Sequence, residues 1–153
     1  MLGPFSHCKV NNVRTYLIVR NSQNLAESVV EQVGIAPLQK CLSEPETGLK
    51  RIAVNCLNQL VKHSDRLTGD IIKNNNNLLT QIIACLFETD DPLLKRQTLI
   101  CLANIAKHQQ FLAQKVIKRL DFDKLLQLLL QEDLVVKVSY TILRNIFIEI
   151  YIS

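Results

Sequence analysis

Leu49-Lys50-Arg51-Ile52-Ala53-Val54-Asn55-Cys56-Leu57-Asn58-Gln59-Leu60-Val61-Lys62-His63 returns 45 residues later as Leu94-Lys95-Arg96-Gln97-Thr98-Leu99-Ile100-Cys101-Leu102-Ala103-Asn104-Ile105-Ala106-Lys107-His108. Seven of the fifteen positions are identical, and the matches cluster at the two ends and the middle of the stretch. A weaker third copy follows: Val136-Lys137, Leu143 and Asn145-Ile146 stand 41 to 42 residues beyond Leu94-Lys95, Leu102 and Asn104-Ile105. A recurrence of this length marks an array of similar units, each burying its apolar face against the next.

Working outward, each unit reads as three helices. A short first helix carries an apolar stripe: Leu25, Ala26, Val29 and Val30, then Leu67, Ile71 and Ile72, then Leu112, Ala113, Val116 and Ile117. A second helix spans roughly Ile35 to Leu42, Leu78 to Phe87 and Phe122 to Leu130. The longest helix is third, over roughly 48–63, 92–108 and 134–150, with Ile52, Cys56, Leu57 and Leu60 sharing a face in its first copy. A purely helical period of 40 to 47 residues is that of armadillo or HEAT solenoids. The expected fold is all-α, a right-handed α-α superhelix of about three armadillo-type repeats. The expected division is a degenerate partial repeat over 1–20, then repeats over 21–63, 64–108 and 109–153, in one continuous solenoid.

The punctuation fits. Gly34 and Asn76 follow a short helix where a left-handed C-cap is expected, a conformation glycine adopts freely and asparagine next best. Asp90-Asp91-Pro92 supplies acidic capping residues and a proline for a first turn. Glu44-Pro45-Glu46-Thr47 and Glu132-Asp133 place acidic groups before the other long helices, where the helix dipole favours them.

Composition agrees with stacked helices. Hydrophobic residues make up 48% of the 153, aromatics only 5%, and Trp is absent. Eighteen Lys and Arg against fourteen Asp and Glu leave +4, which permits an acidic partner but does not point to nucleic acid. The apolar tail from Ile142 to Ile152 is too short to span a bilayer and holds Arg144 and Glu149. No apolar leader precedes the array, so the cytoplasm is the expected location.

The five cysteines, at 8, 41, 56, 85 and 101, form no CxxC pair and have no metal-ligand spacing. Cys41 matches Cys85 and Cys56 matches Cys101 in repeat register, so all are expected as buried free thiols. Lys62-His63 and Lys107-His108 are also equivalents, at the ends of long helices where they can face the helix dipole and meet the last carbonyls. No nucleophile motif, phosphate loop or zinc-binding helix occurs, and only four glycines are present. No catalytic, cofactor or metal residue is expected; the chain reads as a binding protein.

The candidate binding surface has two rows. Lys50-Arg51, Lys95-Arg96 and Lys137 recur near the starts of the long helices and are expected to stack into one exposed basic row. Asn58, Gln59, Asn104, Arg144 and Asn145 lie midway along them, where the long helix of an armadillo fold lines the concave groove. Their amides suit a partner's backbone. At the end of the array, Phe147 to Ile152 leaves apolar side chains around Ile142, Ile146 and Ile150 with no following repeat. Self-association through this last helix, or a longer parent array, is expected.

The runs Leu49-Lys50-Arg51-Ile52-Ala53, Leu94-Lys95-Arg96-Gln97 and Ile105-Ala106-Lys107-His108 resemble the sperm-associated antigen six family of the ciliary central apparatus. The following elements Asn24-Leu25-Ala26-Glu27 and Phe111-Leu112-Ala113-Gln114 are similar too. The resemblance covers about residues 20–120 and is looser in the third long helix, which lacks Lys-His. It implies a non-enzymatic structural protein of the axoneme in motile cilia or flagella, partnered by tubulin or central-apparatus subunits. Acidic tubulin tails would then meet the basic row. The alternative is a cargo or signalling adaptor of importin or catenin type. Importin-like proteins carry a Trp four residues before an Asn on the long helix; here Asn55, Ile100 and Thr141 occupy the Trp positions, before Gln59, Asn104 and Asn145.

Overall fold

The computed structural model describes residues 19–20, 22–131, 137, 141, 143–145 and 148. Its helices run in the expected order of short, second and long: α1 (Gln23–Gln32), α2 (Ala36–Ser43) and α3 (Thr47–Val61), then α4 (Asp65–Asn74), α5 (Leu78–Phe87) and α6 (Pro92–Ala106), then α7 (Gln110–Arg119) and α8 (Phe122–Gln131). Among the described residues there is no strand. The partial repeat expected over 1–20 lies outside the described residues, apart from Val19 and Arg20. The same holds for most of the third long helix, of which 137, 141, 143–145 and 148 are helical.

Local chemistry fixes the boundaries. Ser22 and Ser64 begin α1 and α4 with side chains that accept from the N–H of Leu25 and Leu67, at 3.2 Å and 2.9 Å. Asp91 caps α6, its Oδ1 accepting from Leu93 N at 2.9 Å and Leu94 N at 3.4 Å, with Pro92 in the first turn. Gly34 has φ 76, and its N–H meets the carbonyls of Val29 and Val30, so it closes α1 in the left-handed conformation. Asn76 does not repeat this: among the described residues no non-glycine has positive φ. Asn75 closes α4 instead, donating from Nδ2 to the Ile71 carbonyl at 2.9 Å. A side-chain amide that satisfies the helix end leaves the backbone no need for a left-handed turn.

Packing runs along the array. α3 lies against α6, α2 against α5, and α2 and α5 each against the long helix that follows, α3 and α6. Leu57 and Leu102 are fully buried, and Leu143 is 1% exposed, so one slot is filled three times along the core. Leu143 follows Leu102 by 41 residues, which fixes the register of the third copy. Cys56, Cys85 and Cys101 are buried thiols outside any disulfide. Burial pushes Cys101 up to about 12 and Cys85 up to about 11, because a thiolate there would lose its hydration. Cys41 departs from the expected free thiol: it is disulfide-bonded. Repeat spacing could not reveal this, since bonding depends on which sulfur the fold brings alongside.

Candidate binding surface on the long helices

An α-helix turns about 100° per residue, so neighbours in sequence such as Lys50 and Arg51 cannot share a face. The structure separates them. Lys95 is 5% exposed and Lys50 is half-buried, with its charge felt by the Cys85 thiol of α5. The basic row expected from both residues of each pair is therefore halved. Arg51, Arg96 and Lys137 remain on the solvent side, Arg51 half-buried and Arg96 and Lys137 exposed. Lys137, aligned with Lys95 in the sequence, instead shares the register of Arg96, which it follows by 41 residues as Leu143 follows Leu102.

Arg51 is engaged. Its Nε lies 3.1 Å from Asp91 Oδ2, an ion pair off the line of a hydrogen bond. Asp91 thus caps α6 with one oxygen and holds α3 with the other. So exposed a pair contributes roughly 0.2–1 kcal/mol.

The amide row divides as well. Asn58 is buried between the long helices, donating from Nδ2 to the Gln97 carbonyl at 3.2 Å. Its Oδ1 accepts from Asn104 Nδ2 at 3.3 Å. Asn58 is therefore an inter-repeat tie and not a surface group. Gln59 and Asn104 are half-buried at the solvent boundary, and Arg144 and Asn145 are exposed. Beside them run Asn55, Ile100 and Thr141 in matching register. The result is a solvent face of amides and aliphatic side chains crossing three long helices.

Two residues on this face were read in the sequence only as helix ends. Lys62 and Lys107, the C-caps of α3 and α6, are exposed. Lys62 Nζ donates to Gln59 Oε1, which places its ammonium beside the amide row. Their 45-residue recurrence was the available signal. Neither α3 nor α6 contains an Asp or Glu, so the long-helix face carries positive charge that the modest net +4 conceals.

The histidines bond elsewhere. His63 Nε2 donates to the Val19 carbonyl at 3.1 Å, and His108 bonds through Nε2 to the Val61 carbonyl and through Nδ1 to Asp65. His108 thus meets the last carbonyl of α3, the long helix of the preceding repeat, and His63 reaches Val19, also one repeat earlier. A cleft of about 550 Å³ opens between α5 and α8, floored by Ile83, Phe87 and Leu128. The matching space between α2 and α5 is closed, by Gln39 Nε2 donating to Gln81 Oε1 at 3.2 Å and Gln81 Nε2 to Ser43 Oγ at 3.0 Å. Among the described residues no His, Cys, Asp and Glu cluster could hold a metal ion, and no helix is long and apolar enough to cross a membrane.

This architecture is an armadillo-type α solenoid. No protein-family model and no curated protein matches the chain in sequence. Solved structures match its fold. A crystal structure of an engineered protein superposes with a TM-score of 0.84 at 17% identity, over 99% of this chain and 64% of that one. A designed armadillo repeat protein in complex with the peptide (KR)4 gives 0.79 at 16%, over 93% and 63%. Computationally designed armadillo repeat proteins for modular peptide recognition give 0.77 at 16%, over 97% and 66%. The chain thus spans about two thirds of the length of these structures.

Proposed function

We propose that the chain is a non-enzymatic scaffold that holds other proteins on its long-helix face. One observation carries this reading: Gln59, Asn104 and Asn145 stand in register at the solvent boundary of three successive long helices. Amides so placed can both donate to and accept from an extended backbone. The likeness to armadillo proteins designed for peptide recognition supports the same use of the face.

The finer reading places this scaffold in the cytoskeleton, in the axonemal central apparatus of motile cilia or flagella, with tubulin or central-apparatus subunits as partners. It is supported by the repeated Leu-Lys-Arg and Lys-His motifs alone. The importin-like alternative fits less well. The designed relative holds a basic peptide, (KR)4, whereas α3 and α6 here lack any acidic residue to receive one.

A photo-cross-linker at Asn104, compared with one at Thr80 on α5, tests the general reading in extracts of ciliated cells. Adducts specific to Asn104 are expected, and equal adducts at both positions would sink the long-helix face as the contact. Co-sedimentation with purified axonemes tests the finer reading. Retention in the supernatant would remove the ciliary assignment and leave the scaffold.

A further inference from the structure

The sequence suggested one basic row. The structure supplies two, on either side of the amides. Arg51, Arg96 and Lys137 lie toward the starts of the long helices, and Lys62 and Lys107 lie at their ends. Between these rails run Gln59, Asn104 and Asn145 with Asn55, Ile100 and Thr141. Of the acidic side chains, Glu27, Glu31 and Asp70 line a cleft between α1 and α4, and Asp65, near the ends of the long helices, is bonded to His108. Asp91 approaches the first rail, where it pairs with Arg51 and caps α6, so Arg96 and Lys137 carry more of that rail's charge than Arg51 does.

We propose that the channel between the rails takes an extended acidic peptide segment, its backbone on the amides and its carboxylates on the two rails. This rests on the scaffold reading and names its ligand. Like charge on both rails selects against a basic segment, and the selection acts at a distance before contact is made. A peptide fits better than a nucleic acid, because the described face offers amides and no aromatic ring on which a base could stack. Helices packed about 8–10 Å apart place three long helices across about 20 Å. An extended chain covers that in about six residues.

The test uses the whole chain and fluorescein-labelled peptides about ten residues long, one Glu-rich, one Lys-rich and one of Ser and Asn, with oligo-dT as a fourth probe. The Glu-rich peptide should bind best and lose about tenfold in affinity between low and physiological salt. Lys62→Glu with Lys107→Glu should cost at least about another tenfold, while Lys40→Glu with Lys118→Glu, off this face, should change it less than about twofold. Lys62→Gln with Lys107→Gln should fall between, separating charge from folding. Preference for the Lys-rich peptide, lost in the same rail variants, would overturn the acidic ligand and leave the scaffold reading intact. Preference for oligo-dT, binding indifferent to the rail variants, or binding to none of the probes would each overturn the proposal.

Discussion

His108 reaches back 47 residues to the carbonyl of Val61, at the end of the preceding long helix. His63 makes the matching bond to Val19 across 44 residues. The Val61 oxygen also accepts from Thr68 Oγ1 at 2.9 Å, so the junction between repeats is tied by side chains of both the α4 and α6 ends.

Replacing His108 by alanine should remove one of these ties. A buried acceptor that loses a donor but keeps another costs about 1–2 kcal/mol. In a chain of this size that lowers the melting temperature by roughly 2–4 °C per kcal/mol. Thermal melting by circular dichroism decides it, and a melt within a degree of the parent would show that the bond contributes nothing. His63→Ala should act independently, because the two sites share no partner.

Leu102 occupies the same slot as Leu57 and Leu143, with no exposure. Leu102→Ala should cost about 2–5 kcal/mol through lost burial and a residual cavity. Leu102→Asp should exceed this, since the carboxylate would find no partner there. Urea denaturation measures both, and an aspartate variant as stable as the alanine variant would refute the slot.

Stability should fall above pH 9. An ordinary thiol, titrating at about 9.0, is neutral below that pH in folded and unfolded chains alike, so its contribution is then complete. Above it the unfolded chain releases protons that Cys101 retains up to about 12 and Cys85 up to about 11. Each thiol should therefore subtract stability at up to about 1.4 kcal/mol per pH unit across that window. Urea midpoints measured from pH 8 to 11 should drop less steeply for Cys101→Ala than for the parent. Parallel slopes would exclude Cys101 as a source.

Phe122, Leu126 and Leu130 form an uncovered stripe on α8, at 45%, 55% and 84% exposure. Such a patch favours association. The sequence had located it around Ile142, Ile146 and Ile150, which lie outside the described residues; Ile148 is 45% exposed. Sedimentation velocity should detect concentration-dependent dimers, abolished by Leu126→Lys with Leu130→Lys. A monomer at every concentration would mean that the stripe does not drive association.

The array was legible because packing repeats itself: Leu57 and Leu102, Cys56 and Cys101, and His63 and His108 keep their spacing since each fills an equivalent position. Helix order and the bounds of α5 could be read from apolar spacing for the same reason. The site was legible only in part. Adjacency in sequence made Lys50 and Arg51 look like one feature, and the helical rotation between them decides which faces water. Lys62 and Lys107 were seen, but a lysine at a helix end has a sufficient explanation in the dipole, which hid their place beside the amides. Asn58 could not be told from Gln59 by residue type. One ties two helices together while the next reaches the solvent boundary.

The histidine links also have an order. Val19 precedes His63, and Val61 precedes His108, so each acceptor is synthesised before the donor that seeks it. A chain leaving the ribosome can add each repeat to a finished template, and neither His63 nor His108 waits for a partner still to be made. Trimming from the C-terminal side strands neither ring, whereas losing the segment that contains Val19 strands His63. In these two bonds the array is thus vectorial: each is completed only by the later of the repeats it joins.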